Sequence, residues 1–66
     1  MEPFKTRLSK IMKEKGLNQL DISAIVGVRQ SQVSNWLSGR SLPGYKSICA
    51  LCKSLKVEPN YLLDLK

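Results

Sequence analysis

Apolar residues recur along the chain with the three- to four-residue spacing of helices, in stretches separated by Gly, Pro and Asn. The first stretch places four apolar residues on one stripe of a helix, at i, i+4, i+7 and i+8: Phe4, Leu8, Ile11 and Met12. Pro3 suits the first turn of this helix, since an N–H in that turn has no partner inside the helix. Gly16 is suited to end it in the left-handed conformation. The pattern predicts a helix over residues 3–15.

A second, shorter helix is predicted to follow Asn18, which is a favourable N-cap residue. Asp21 stands in its first turn, where a negative charge complements the helix dipole. Three aliphatic residues form its apolar face: Ile22, Ile25 and Val26. Leu20 is expected to point outward, as a possible interaction surface. Gly27 ends the helix, and only two residues separate it from the next helical stretch.

The stretch from Gln30 to Ser38 has two unlike faces. At about 100° per residue, three apolar residues share one side: Val33, Trp36 and Leu37. The opposite arc holds short or amide side chains, with Gln32 at its margin: Gln30, Ser31, Ser34, Asn35 and Ser38. Solvated helix faces favour Glu, Lys and Arg, which have higher helix propensity than Ser and Asn. This face is either a weak helix that meets only water, or a surface that reads hydrogen-bonding groups such as base edges.

Two further helices complete the pattern. The segment from Gly39 to Gly44 is predicted to be a loop, because it contains two glycines and a proline. A fourth helix is predicted over Tyr45 to Leu55, with an apolar stripe of Ile48, Leu51, Cys52 and Leu55. Pro59 suits the first position of a fifth helix, whose apolar closing turn is Tyr61, Leu62 and Leu63. No stretch alternates with period two for long enough to make a strand, so we predict an all-α, compact bundle of five short helices. We expect residues 1–66 to form a single domain.

The charge of the chain narrows the class of partner. Eleven Lys and Arg oppose five Asp and Glu, which gives a formal net charge of +6 in 66 residues. A positive field of this size favours polyanions, either nucleic acid or an anionic membrane surface. No apolar run approaches the length of a membrane span, and none follows a basic start as in a signal peptide. We therefore expect a cytoplasmic protein that has no membrane association.

The chemistry of the side chains argues against an enzyme. The chain has no histidine, and its five carboxylates are scattered. Cys49 and Cys52 form a C-x-x-C pair, but a structural zinc site needs four ligands, and no second pair exists. The pair also lies inside a helical pattern rather than at a helix start after a strand, where a redox motif would be. We expect both cysteines to pack in the core, and we expect no metal, cofactor or small-molecule ligand.

The segment "GLNQLDISAIVGVRQSQVSNWLSGRSLP", followed by "ICALCKSLKVEPNYLL", resembles the Cro/C1-type helix-turn-helix family of phage repressors and bacterial XRE-type regulators. The resemblance covers about residues 4–63. It implies a lambda repressor-like bundle whose second and third helices form a helix-turn-helix, with the recognition helix at about residues 30–38 in the major groove. Two residues depart from the family pattern. Arg29 replaces the usual Ser or Thr N-cap, and Lys56 replaces a glycine, so Lys56 is expected at positive φ.

The resemblance also implies roles for individual residues. It gives the base-reading positions to Gln30, Ser31 and Asn35. It implies contacts to the DNA backbone for seven residues: Gln19, Arg29, Ser34, Ser38, Arg40, Ser41 and Lys46. Arg29 could contact a phosphate or read guanine, and we favour the phosphate. Most of the basic residues of the first helix are expected to form a solvated face, and some of them to meet phosphate, but the sequence singles out none: Lys5, Arg7, Lys10, Lys13 and Lys15.

The family implies a function as well. We expect a sequence-specific transcriptional regulator of double-stranded DNA, a repressor that binds a palindromic operator as a homodimer in a bacterial or phage-infected cell. A surface of the fifth helix near Tyr61 to Leu65 would supply the dimer contact. The alternative is an antitoxin-like or accessory protein-interaction module that uses the same fold.

Overall fold

Five α-helices follow the apolar stretches of the chain in the computed structural model, which describes residues 3–63. They are α1 (Phe4–Lys15), α2 (Gln19–Val26), α3 (Gln30–Ser38), α4 (Tyr45–Leu55) and α5 (Pro59–Leu62). The predicted all-α bundle of five short helices is confirmed, and no strand occurs in the described part of the chain. Within those residues no helix has the length and apolar character needed to cross a membrane.

The start of α1 differs by one residue from the prediction. Pro3 is the N-cap rather than a first-turn residue, because its ψ of 156° is extended. Its carbonyl accepts hydrogen bonds from the backbone N–H groups of Thr6 and Arg7. Pro59, by contrast, stands at the start of α5 as predicted.

The apolar stripes of all five helices meet in one core. Its buried members are Phe4, Leu8, Ile11, Met12, Ile22, Val33, Trp36, Leu51, Cys52, Leu55 and Leu62. Helix α3 packs against both α1 and α2, α2 also packs against α4, and α5 lies against α1 and α4. The core therefore holds α3 from two sides.

The two cysteines have different environments, and both thiols are free in the described residues. Cys52 is buried, and this burial raises the pKa of its thiol. Cys49 is exposed, so the expectation that it packs in the core is wrong. The reason is angular: the buried side of α4 is centred between Leu51, Cys52 and Leu55, and Cys49 lies roughly 110° from that direction at about 100° per residue.

The end of α4 has an unusual backbone conformation. Lys56 has φ 55° and ψ 44°, in the left-handed region, and it is the one non-glycine residue with positive φ among residues 3–63. Its N–H donates to the carbonyl of Cys52, which ends the helix as a glycine would. The predicted positive φ is confirmed. A lysine side chain at this position crowds the backbone, at a cost of about 1–2 kcal/mol for an L-residue.

We expect Lys56→Gly to raise the free energy of unfolding by about 0.5–1 kcal/mol, because glycine relieves the strain but loses more backbone entropy on folding. Urea denaturation monitored by circular dichroism measures the change. The matched control is Gly16→Ala at the end of α1, where φ is 67° and a Cβ would meet no atom within 4 Å. It should lower stability through backbone strain alone. A Lys56→Gly protein no more stable than the parent would contradict the prediction.

Candidate nucleic-acid interface

The first helix of the helix-turn-helix begins at a reciprocal pair of hydrogen bonds. The Asp21 N–H donates to the Asn18 side-chain oxygen, and the Asn18 N–H donates to an Asp21 carboxylate oxygen, both at 2.9 Å. This capping box satisfies two backbone donors that the start of a helix leaves unpaired. It fixes the position of Gln19, which is half-buried at the first position of α2.

The turn between α2 and α3 is built on Ser23 and Gly27. The N–H groups of Gly27 and Val28 both donate to the Ser23 carbonyl, at 2.8 and 3.1 Å. Gly27 has φ 81°, a conformation that favours glycine. The Ser23 hydroxyl donates to the Leu20 carbonyl at 2.8 Å and so is satisfied within its own helix. Leu20 is 60% exposed, as predicted.

Helix α3 has the two faces that its sequence predicts. Val33 is fully buried and Trp36 is 3% exposed, so these two residues attach the helix to the core. Leu37 is half-buried beside them. The opposite face carries four exposed polar residues, Gln30, Ser31, Ser34 and Ser38, and the half-buried Asn35. This face contains no charged side chain, only groups that can donate and accept hydrogen bonds.

The end of α3 is organised around the carbonyl of Asn35. This oxygen accepts from the Ser38 hydroxyl at 3.1 Å and from the backbone N–H groups of Arg40 and Ser41 at 2.9 and 3.4 Å. Gly39 makes the turn possible with φ 84°. The Ser38 hydroxyl therefore donates internally but keeps its lone pairs as acceptors. Arg40 and Ser41, which follow the end of α3, are both exposed to solvent.

The start of α3 is less well satisfied than the start of α2. Arg29 is the N-cap, with extended φ and ψ of −75° and 150°, and its side chain makes no capping hydrogen bond. Its exposed side chain borders a shallow depression that the sequence did not predict. The other lining residues are Gly27, Val28, Ser31 and Gln32. The depression thus joins the α2–α3 turn to the first turn of α3.

The start of α4 also belongs to the exposed surface after the loop. Lys46 is exposed in the first turn, and Tyr45 beside it is 84% exposed. A hydrogen bond with the Cys49 side chain, one turn further on, is the main cause that raises the pKa of Tyr45. The sequence did not decide between a core position and a surface position for Tyr45. The structure assigns it to the surface.

One residue near the end of α3 comes from a different helix. Lys5 of α1 lies along Gly39: a Cβ built on Gly39 would be 3.2 Å from Lys5 Cδ and 3.5 Å from Lys5 Nζ. The sequence did not separate Lys5 from the other basic residues of α1, most of which were expected to form a solvated face. No local pattern could have found this contact, because it depends on how α1 crosses α3.

The missing cap of α3 generates a prediction about stability. Arg29→Ser should raise the free energy of unfolding by about 1 kcal/mol, because a serine hydroxyl can accept from an unpaired N–H of the first turn. Thermal or urea denaturation provides the measurement. Arg29→Ala is the matched control, since it removes the same charge without supplying a cap. Equal stability of the two variants would show that the uncapped start does not limit the stability of α3.

Comparison with known proteins places this geometry in a family. A family model described as helix-turn-helix matches residues 8–62. No curated protein sequence gives a significant match. The P22 c2 repressor, solved in complex with synthetic operator 9T in the presence of Tl+, superposes with a TM-score of 0.89 at 26% identity over 100% of both chains.

A second solved structure has the same fold. A transcriptional regulator from Listeria innocua superposes with a TM-score of 0.87 at 24% identity. The match covers 92% of this chain but 57% of that regulator, so the present chain spans little more than half the length of that protein. The family model matches residues 8–62, which is most of the present chain. The chain therefore belongs to the Cro/C1-type helix-turn-helix family of DNA-binding regulators.

Proposed function

We propose that this protein is a non-enzymatic, cytoplasmic repressor of transcription that binds a palindromic operator in double-stranded DNA as a homodimer. The observation that carries the proposal is the uncharged, hydrogen-bonding face of α3, opposite an edge buried in the core. An α-helix fits the major groove, where each base pair presents a distinct set of donors and acceptors. The operator complex of the P22 c2 repressor, which has the same fold, supports this use of the surface.

In this proposal, Gln30, Ser31 and Asn35 read the bases. A glutamine or asparagine amide can donate to N7 and accept from N6 of adenine at the same time, and a serine hydroxyl can serve several base edges. Gln30 and Ser31 lie exposed in the first turn of α3. Asn35 is half-buried one turn further on. Its side chain is shorter than that of glutamine and has fewer accessible orientations, so it can reach fewer base edges.

Seven further residues contact the sugar–phosphate backbone in the same proposal: Gln19, Arg29, Ser34, Ser38, Arg40, Ser41 and Lys46. Arg29 lies at the start of α3, whereas Ser38, Arg40 and Ser41 lie at or just beyond its end. A cation therefore lies near each end of the recognition helix, Arg29 before its start and Arg40 after its end. Backbone contacts of this kind set the register of the helix in the groove, and the base contacts then select the sequence.

The proposed dimer places two recognition helices about one turn of DNA apart, on a two-fold symmetric site. Helix α5 is the candidate contact surface. Its Tyr61 is 42% exposed and lies against α1, with the Arg7 guanidinium 4.8 Å from the ring centroid. This cation–π contact favours the position of the ring against α1. The last two residues of the predicted surface, Asp64 and Leu65, lie outside the described residues.

Selection of bound sequences from random DNA duplexes tests the proposal directly. We expect enrichment of one half-site, repeated in inverted orientation with centres about 10 base pairs apart. Enrichment of single half-sites would support sequence-specific DNA binding but contradict the proposed homodimer. No enrichment at all, together with a protein partner that co-purifies from cells, would favour the accessory interaction module.

Gln30→Ala should weaken binding to the selected site by about 1–3 kcal/mol, because it removes a bidentate contact to a base. The variant should also tolerate base changes at one position of the half-site. Fluorescence anisotropy with a panel of single-base variants of the site measures both effects. Gln32→Ala is the matched control, since this exposed amide lies at the margin of the polar face. Loss of discrimination at the same position in both variants would show that Gln30 does not read that base.

A further inference from the structure

We propose that Lys5, a residue of α1, is an additional contact to the DNA backbone, held in place by Gly39 at the end of the recognition helix. The inference rests on the proposed function. It extends that function to a helix outside the helix-turn-helix, and it separates Lys5 from the other lysines of α1.

The first support is the contact itself. The side chain of Lys5 runs along Gly39 so closely that a Cβ there would lie within 3.2–3.7 Å of its Cδ, Cε and Nζ atoms. Gly39 thus has two functions. It adopts the positive φ that ends α3, and its missing side chain leaves the space along which Lys5 lies.

The second support is the electrostatics of the helix end. The last turn of α3 contains no basic residue of its own, although the C-terminal end of a helix favours a cation. Lys5 places a cation at this end from α1, in addition to Arg40, which follows the helix. The negative end of the α3 dipole and the contact along Gly39 both favour this placement of the ammonium group over one extended into solvent.

The third support is the neighbourhood of the ammonium group. The residues on either side of Gly39 are Ser38 and Arg40, and both are proposed to contact the DNA backbone. Lys5 is nevertheless an exposed residue, as a contact to a phosphate requires. A lysine that is already confined along Gly39 loses less rotamer freedom on binding than one that is free in solution.

The test compares two lysines of the same helix. Lys5→Met removes the proposed contact, and Lys13→Met removes an equal charge about 12 Å further along α1, at a rise of 1.5 Å per residue. Both lysines are exposed. Affinity for the selected operator is measured by fluorescence anisotropy from low to high salt, and thermal unfolding of each variant verifies that it is folded.

We expect Lys5→Met to weaken binding roughly fivefold or more at low salt and to reduce the log–log salt slope by about one, as for a lost phosphate contact. At about 0.15 M salt, where the Debye length is about 8 Å, Lys13→Met should change the affinity less than about twofold and leave the slope nearly unchanged, because exposed charges farther apart than the Debye length are largely screened. Lys5→Arg should bind like the parent. Equal losses in the two methionine variants would overturn the proposal, since Lys5 would then act only through the overall charge.

A second measurement locates the phosphate. Operators that carry one uncharged methylphosphonate at a time along the flank of the half-site are bound to the parent and to Lys5→Met. At one position, the loss caused by Lys5→Met should disappear, because the anionic partner is already absent. If the loss persists at every position, or if the variant is less stable but binds normally, Lys5 only caps α3 and the proposal fails.

The two proposals fail in different ways. If the parent protein selects no DNA sequence, the proposed function fails before Lys5 is tested. If the parent selects a site and Arg40→Ala reduces the salt slope, but Lys5→Met does not, only the role of Lys5 is overturned.

Discussion

The burial of Val33 and Trp36 is the constraint on which the interface depends. An isolated helix of the length of α3 is marginal in water, and its outer residues are mostly Ser and Asn, which favour helix less than Ala, Glu or Lys. The stability of α3 therefore comes from these two side chains, which pack into a core shared with α1 and α2. Since the inner edge supplies the stability, the outer face is free to carry residues chosen for their hydrogen bonds.

The same two residues fix the rotation of the helix. Val33 and Trp36 are three positions apart and both almost fully buried, so a rotation of α3 by one residue would bring at least one of them into solvent. The orientation of Gln30, Ser31 and Asn35 is thus set by contacts on the opposite side of the helix. Substitutions of these two buried residues would displace the polar face without changing any of its side chains, because the helix would settle in another position, and the proposed base contacts would change with it.

Much of this arrangement follows from local patterns in the sequence. The stripes of α1 and α4, the left-handed Gly16 and Lys56, and the cap at Asn18 all depend on residues within a few positions of one another. The two faces of α3 follow from the same helical period. These features were predicted correctly because helical periodicity and capping chemistry act over one or two turns.

The features that escaped prediction depend on how helices meet. Cys49 belongs to an apolar residue type, but the packing of α4 leaves its side of the helix exposed. The contact between Lys5 and Gly39 joins residues far apart in the chain, and the depression beside Arg29 arises from the angle between α2 and α3. The roles of Gln30, Ser31 and Asn35 in reading bases rest on the family resemblance and on the chemistry of their side chains. They remain predictions.

The start of α3 shows how stability and binding compete in this small domain. Helix α2 begins with a complete capping box, whereas α3 begins at Arg29, a cation placed at the positive end of the helix dipole. That placement makes the free protein less stable than one with serine or threonine at this position. A serine or threonine would cap the helix, and it would carry no positive charge to be repelled by the helix dipole. A phosphate at the same point would reverse the sign, since it would neutralise Arg29 and accept from the unpaired N–H groups of the first turn. The arrangement is therefore weak in isolation and favourable against a polyanion, and the buried anchors Val33 and Trp36 are what allow the fold to tolerate it.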